Sequence, residues 1–430
     1  MASYAESLAP DARKRYILYA YASTWFGCFA DVMLDSSALI MIYFVLLHAS
    51  NSLIMFSAAV TGLLQIPLLI PSSILVTRFG VRRMVTVSAT LACAGYILMS
   101  LAPFINCRTQ YVVLGGIFIF GISRPIWSAT WYPVLGDILL PEERGPFLGK
   151  MRFSYYILTG TVFYLIGQFM GKNPPLWYLQ TAIAAAGILA LGRAYFIRKI
   201  KLSDATGSKP EIRKSFSISV HNAPLVGFSV YSCFMSLAYQ AVIPLSLLYL
   251  KKSLNFDADT VQKLSTLGIA GSTIGYLLYG WVQKKLKMKK MQITVHLLWI
   301  IIPAGFFCCV KGMPLLMPLT GLLLFLSYLT HAWFACCFSQ ECLALSRPGN
   351  TAMASAFANT YCNIGSTVGR TSSSLLLGHG LLATSWNWNG FCITDFQSIF
   401  LFCAAGAIFC LVLLFTLPSV ISTHDNYYNP

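Results

Sequence analysis

Long apolar runs alternate with short polar breaks along this chain, and the runs decide its class. They stand near 16–46, 53–76, 84–104, 111–136, 150–171 and 176–197, then near 223–250, 260–282, 291–310, 315–341, 351–377 and 397–420. A helix rises 1.5 Å per residue, so roughly 20 residues cross a hydrocarbon core about 30 Å thick. Strands of a membrane barrel would instead show about ten alternating positions per segment. The pattern predicts an all-α integral membrane protein of twelve transmembrane helices.

The longest polar interval, Arg198 to Asn222, divides the runs six and six. Rich in Lys, Ser and Asp, it reads as a cytoplasmic linker (198–222) between two bundles, 1–197 and 223–430. The halves echo one another. Ser73-Ile-Leu-Val-Thr-Arg-Phe-Gly-Val-Arg-Arg83 is a basic turn between the second and third runs. A second basic turn, Gly280-Trp-Val-Gln-Lys-Lys-Leu-Lys-Met-Lys-Lys290, follows 207 residues later, between the eighth and ninth. Overlaid, Thr77 falls on Lys284, Arg78 on Lys285, and Arg82 and Arg83 on Lys289 and Lys290. Asp137 closes the fourth run ahead of Pro141-Glu-Glu-Arg144-Gly145, and Glu341 closes the tenth ahead of Arg347-Pro-Gly-Asn350. Parallel repeats of this kind build two pseudo-symmetric six-helix bundles. Glycines at helical spacing (Gly160, Gly167 and Gly171; Gly268, Gly271 and Gly275) are read as close-packing positions.

Composition agrees. The chain is 57% hydrophobic and 10% charged, with mean hydropathy +0.68, whereas a soluble domain carries about 25% charged residues. A net charge of +16 invites a nucleic-acid partner, but the placement of the charges excludes one. Counting loops from a cytoplasmic N-terminus, 22 of the Lys and Arg residues fall on that side and six on the other. This asymmetry is a topology signal, with both termini cytoplasmic in a plasma (inner) membrane. Arg13-Lys14-Arg15 ahead of the first run is read as flanking a retained helix, not as part of a cleaved leader. Of the thirteen cysteines none forms a C-x-x-C pair or a Cys/His metal spacing, so no metal or cofactor is expected. Cys107 and Cys392 both fall in outer loops, which leaves a disulfide between them open. No nucleophile elbow or P-loop is present, so enzymatic activity is not expected.

Charge within a membrane helix is expensive and is a functional hypothesis by default. Asp31 and Asp35 stand one turn apart on one face of the first run, and Thr24 and Cys28 extend that face. Two carboxylates so close in low dielectric should share a proton, which is the chemistry of a proton-coupled carrier. Arg124 lies mid-way along the fourth run, in Gly121-Ile-Ser-Arg-Pro-Ile-Trp127. Asn359, Asn363, Ser366 and Arg370 step by four, three and four along the eleventh, a polar stripe that must face a cavity or another helix. Arg370 is a candidate for an anionic group of the substrate. Gln65, Tyr239, Gln240, His331, Trp127, Trp131 and Trp333 are weaker candidates, read first as packing or interhelical hydrogen-bond partners.

The first hairpin resembles a motif of the major facilitator superfamily, G-x-L-x-D-R-x-G-R-R. Leu75, Arg78 and Gly80 match it, and Arg82 and Arg83 match its closing pair one residue later, after Val81, while Ser73 replaces the first Gly and Thr77 the Asp. Arg144-Gly145 and Asp137 also look like that family's, and the likeness extends over nearly the whole chain. The resemblance implies neighbouring first and fourth helices, so that Arg124 meets the aspartates. It also implies a conformational latch of Arg78 or Arg82 with Asp137 and of Lys284 or Lys285 with Glu341. The expected function is secondary transport of a small organic solute by alternating access, proton-coupled, by a monomer in the lipid bilayer. The fifth run reads Gly160-Thr-Val-Phe-Tyr-Leu-Ile-Gly167-Gln-Phe-Met-Gly171, without the Gly-Pro that drug/proton exporters of the superfamily carry there. Import or facilitated passage is favoured on that ground. The alternatives are a drug/proton antiporter, or a non-transporting assembly or pigment-binding protein of the same fold.

Overall fold

A computed structural model describes residues 4–105, 108–140, 143–202, 212–346, 350–378, 381–383, 385–388 and 391–416. In the first half the helices are α1 (Tyr4–Ser7), α2 (Pro10–Asp35), α3 (Leu39–Leu46), α4 (Asn51–Phe79), α5 (Val81–Leu101), α6 (Thr109–Ile138), α7 (Arg144–Met170) and α8 (Leu176–Arg198). A nine-residue helix, α9 (Ile212–Val220), lies in the segment expected to be a plain linker. The second half holds α10 (Ala223–Tyr239), α11 (Val242–Lys252), α12 (Ala258–Cys308), α13 (Leu316–Leu345), α14 (Thr351–Gly378) and α15 (Asp395–Thr416). Between α14 and α15 a small antiparallel hairpin pairs β1 (Ser385–Trp388) with β2 (Phe391–Thr394). Trp386 Nε1 ties that hairpin to Ser398 Oγ at 3.0 Å. Among the described residues, nine stretches are long and apolar enough on their own to cross a membrane. The chain is an all-α membrane protein of twelve spans in two six-helix bundles.

Four expected spans depart from simple rods. The first is two helices, α2 and α3, parted at Ser36–Ala38, where Ser37 Oγ accepts a hydrogen bond from the Leu39 amide. Serine offers the backbone an alternative partner and interrupts the helical ladder. The seventh is likewise split, between α10 and α11 at Gln240–Ala241. Pro244 explains this break: it has no N–H to reach the carbonyl four residues back, which belongs to Gln240.

The eighth and ninth spans were expected to be separate, yet helical hydrogen bonding runs through both as α12. Its axis nevertheless reverses. Side-chain room at Gly271 is bounded by Phe325, and at Gly305 by Leu323, two positions two residues apart on α13. A straight helix would hold Gly271 and Gly305 about 50 Å apart. Tyr279 and Met291, flanking the basic Lys284–Lys290 stretch, both pack on Cys337. The first hairpin turns at Gly80, with φ of +85°, which glycine adopts at no steric cost. The second has no glycine between Gly280 and Lys290, so helical backbone persists into the turn.

By packing, the chain divides into Met1–Ala49 with Val60–Lys209, and Ser50–Ala59 with Pro210–Pro430. The opening turns of α4 thus belong with the C-terminal unit. Ser374 Oγ donates to the Ser52 carbonyl at 2.7 Å, and Arg370 Nη1 to the Ala58 carbonyl at 2.6 Å. Within each unit the same pairs of spans meet. The first packs on the fifth and sixth (α2 on α7 and α8), and the third on the fourth and sixth (α5 on α6 and α8). In the second unit α10 packs on α14 and α15, and α12 on α13 and α15.

The hydrogen bonds repeat too. Tyr43 donates to the Met99 carbonyl at 2.9 Å and Gln180 to the Ser100 carbonyl at 2.8 Å, closing the orphan carbonyls at the end of α5. In the second unit Tyr249 donates to the Cys309 carbonyl and Gln397 to the Phe307 carbonyl, at the end of α12. Tyr249 follows Tyr43 by 206 residues and Gln397 follows Gln180 by 217. The two units are one design used twice.

Two glycines of α14 bring it close against the backbone of α10. Side chains added at Gly365 and Gly369 would meet the backbone carbonyls of Cys233 and Leu237. Backbone cannot yield as a flexible side chain does, so overpacking here should cost about 1–3 kcal/mol. Gly365→Ala is expected to lower the melting temperature of the purified protein by several degrees; an unchanged melting temperature would show that α10 and α14 stand farther apart.

Candidate functional site

Gly27, Asp31 and Asp35 step by four along α2 and therefore share one face. Three helices bring charge to that face: α2 with both aspartates, α6 with Arg124 and α8 with Arg193. Arg124 meets Asp35 with two prongs, Nη2 to Oδ2 at 2.7 Å and Nη1 to Oδ1 at 3.0 Å. Such a fork is the strongest geometry a guanidinium and a carboxylate can adopt. The same guanidinium places Nε 3.8 Å from Asp31 Oδ1. The other oxygen of Asp31 accepts from Arg193 Nη2 at 2.6 Å. The four groups form a chain, Arg193–Asp31–Arg124–Asp35, of two cations and two anions.

The two arginines differ in setting. Arg193 is 6% exposed, and its guanidinium lies 4.1 Å from the ring centroid of Trp127 on α6. It occupies space left by Gly27, where any side chain would overlap it. Ser23 Oγ donates to the Arg193 carbonyl at 3.2 Å, which seats α8 against α2. Arg124 is 22% exposed and its partner Asp35 is 32% exposed. Residues exposed in the middle of a span, and charged, must open to water and not to acyl chains. Arg193 is thus walled in, and the Arg124–Asp35 fork is accessible.

Local sequence explains the placement. Pro125 follows Arg124 and removes an N–H from the α6 ladder, and Ser88 of α5 donates to the Ser123 carbonyl at 2.8 Å. Tyr96 of α5 donates to the Ala30 carbonyl, beside Asp31. Asp35 is the last residue of α2, at the break in the first span. Thr24 and Cys28, which continue the face outward in sequence, are buried, with Thr24 Oγ1 donating to the Ala20 carbonyl and Cys28 Sγ to Trp25.

Arg370 belongs to the other unit. Its Nε donates to the Gln240 carbonyl at 3.2 Å, filling the vacancy that Pro244 creates, and its Nη2 donates to Gln240 Oε1 at 3.2 Å. Gln240 Nε2 in turn donates to Tyr239 Oη at 2.9 Å. The stripe on α14 is not gathered at one point: Asn359 is exposed and donates to the Ser355 carbonyl at 2.8 Å, Asn363 is half-buried and Ser366 is buried.

The hairpin residues are dispersed. Arg82 Nη2 donates to the Ile200 carbonyl at 2.8 Å, Arg78 lies 5.4 Å from the Phe79 ring centroid, and Arg83 is exposed. Asp137 sits in the last turn of α6, and Arg144 opens α7 with its side chain outside the described residues. Lys284 and Lys285 are exposed, Lys285 Nζ being 3.9 Å from the Trp281 ring centroid. Glu341 is 2% exposed and accepts from Gln292 Nε2 at 3.4 Å. Cys392 is an exposed free thiol, and Cys107 lies outside the described residues. Among the described residues no group of three His, Cys, Asp or Glu side chains is placed to hold a metal.

Comparison with known proteins decides the family. The sequence matches the profile of the Major Facilitator Superfamily over residues 24–370. The chain belongs to the Major Facilitator Superfamily. Solved structures of similar fold include an auto-inhibited POT family peptide transporter (TM-score 0.72, 12% identity, 97% of this chain and 98% of that one). Others are a mutant of the nucleoside transporter NupG (0.71, 13%, 94% and 99%) and a D-xylose-proton symporter (0.66, 14%, 95% and 97%). At such identities the likeness is one of fold alone. No curated protein sequence matches. As a member of this superfamily the chain is a multi-pass membrane transporter.

The 22 Lys and Arg counted on the cytoplasmic side include Arg193, although it falls within the sixth run, and the structure corrects that count. The helix continues to Arg198, so Arg193 lies inside the span and points into the bundle. The signal available was its position ahead of the last helical turn, together with a glycine at position 27. Removing one partner of a buried ion pair costs about 3–5 kcal/mol, and Asp31 retains Arg124 in part. Arg193→Gln is therefore expected to lose about 2–3 kcal/mol of stability, and Gly27→Ala a similar amount, by denaturation of the purified protein. Wild-type stability in both variants would remove the Arg193–Asp31 contact from the account.

Proposed function

We propose that this superfamily member is a secondary carrier of a small organic solute, working by alternating access with the Arg193–Asp31–Arg124–Asp35 chain as its binding and coupling centre. The single observation that supports the reading is that four ionisable groups from three membrane helices converge within the span, with Asp31, Arg124 and Asp35 partly exposed and Arg193 buried. Protein does not place charge there for packing alone. Coupling to protons follows from the same groups. With two arginines present, the repulsion between Asp31 and Asp35 is offset, so a proton acts by displacing a cation. Protonation of Asp35 frees Arg124.

Arg370 with Gln240 steadies the broken seventh span, and the α14 stripe of Asn359 and Asn363 contributes polar contacts. The latch of Arg78, Arg82, Arg83, Asp137 and Arg144, with Lys284, Lys285 and Glu341, belongs to the same reading. So do a plasma-membrane location, cytoplasmic termini and a monomeric state. Uptake or facilitated passage is favoured over export, because the fifth span lacks the exporters' Gly-Pro.

The test is transport in proteoliposomes, using a solute found by thermal-shift screening, since a ligand that binds the folded state raises its stability. Asp31→Asn and Asp35→Asn are expected to lose uphill accumulation driven by a proton gradient while retaining solute exchange. Uphill accumulation at the wild-type level in both variants would dismiss the coupling role.

A further inference from the structure

The Arg124–Asp35 fork limits what this centre can take. Both prongs are short, at 2.7 and 3.0 Å, and both partners lie at the depth where a lone charge is most costly. Opening the fork without replacement leaves a guanidinium and a carboxylate unpaired, which is strongly destabilising in such surroundings. An uncharged solute offers only neutral hydrogen bonds. A solute with one charge satisfies one partner and strands the other. A solute with both charges satisfies both.

Neighbouring contacts sharpen the point. Asp31 is held by Arg193 through Oδ2, and Arg193 is fixed by the Trp127 face and the Gly27 recess, so Arg193 cannot swing across to an Asp35 set free from the fork. The 3.8 Å approach of Arg124 to Asp31 is too long for a hydrogen bond and does not satisfy Arg124 by itself. Arg124 and Asp35 are also the more exposed members on the arginine and aspartate sides, at 22% and 32%. The accessible pair is the exchangeable pair.

We infer that the transported solute is a zwitterion, its carboxylate replacing Asp35 on Arg124 and its ammonium replacing Arg124 on Asp35. An α-amino acid or short peptide carries the two groups in this way. The charge balance of the centre is the same before and after exchange, so no counter-charge need enter the span. Trp127, half-buried and one turn beyond Arg124 on α6, offers an aromatic surface for the rest of such a solute, with the buried Trp131 ring 5.0 Å away backing it.

The inference rests on the reading of the four-charge chain as the binding centre, and its test separates the two. The purified full chain is titrated with L-tyrosine, L-tryptophan and the dipeptide Ala-Tyr. The corresponding methyl esters (ammonium only), N-acetyl derivatives (carboxylate only), D-xylose and uridine are titrated in parallel. Binding of a zwitterion, weakened about tenfold or more on blocking either end, is expected, a tenfold change being 1.4 kcal/mol. The double variant Asp35→Asn/Arg124→Gln, which removes both charges and strands neither, should bind the zwitterion about tenfold more weakly or not at all. Equal binding of a singly charged or uncharged compound, no binding of any zwitterion, or full binding by the double variant would each overturn the inference. If xylose or uridine binds and its binding is lost in the double variant, the centre is a substrate site but the zwitterion assignment is wrong. If zwitterions bind equally well to the double variant, the centre itself has been misassigned.

Discussion

A charge that enters the hydrocarbon layer must bring its partner with it. That constraint shapes the first unit of this protein more than any packing preference. Asp31 and Asp35 on one face of α2 require cations from elsewhere, and α6 and α8 supply Arg124 and Arg193. The three helices are thereby held in one arrangement by electrostatics as well as by contact. Gly27, Trp127 and Ser23 serve that arrangement: a recess for the buried guanidinium, a ring against it, and a hydroxyl on its backbone carbonyl.

The scaffold is duplicated and the charges are not. Tyr43 with Gln180, and Tyr249 with Gln397, close the ends of α5 and α12 in the same way, and the first and seventh spans are broken at matching places. Shifting Asp31, Asp35 and Arg124 by 207 residues gives Ala238, Val242 and His331, and shifting Arg193 by 217 gives Cys410. The tetrad therefore has no twin. In the second unit the corresponding strain falls on backbone: Pro244 orphans the Gln240 carbonyl, and Arg370 satisfies it. One unit solves a side-chain charge problem, the other a main-chain one, inside a common frame.

What was legible in the sequence follows from length scale. Twelve crossings can be read because a span needs about twenty apolar residues whatever its neighbours do. The family was legible because Leu75, Arg78, Gly80, Arg82 and Arg83 lie close together in a short turn. Asp31, Asp35 and Arg124 stood out as charges deep inside apolar runs. Arg193 did not, because its run continues into a cluster of Lys and Arg that obscures where the helix ends. The break at Gln240 was encoded by Pro244, four residues on, but only the helical hydrogen-bond offset turns that proline into an orphaned carbonyl. The persistence of helix through Lys284–Lys290 was hidden for a different reason, since a basic stretch between apolar runs looks like a loop whether or not its backbone is helical.

Whether Arg124 and Asp35 act as a coupled pair is the central claim, and a double-mutant cycle measures it directly. Stability is determined for the wild type, Arg124→Gln, Asp35→Asn and the double variant. Residues in contact through such a bond show interaction energies of about 0.5–3 kcal/mol, and a forked pair at this depth is predicted to fall in the upper part of that range, with the double variant more stable than the sum of the single losses implies. Additive losses, within about 0.5 kcal/mol, would mean that the two side chains do not depend on each other.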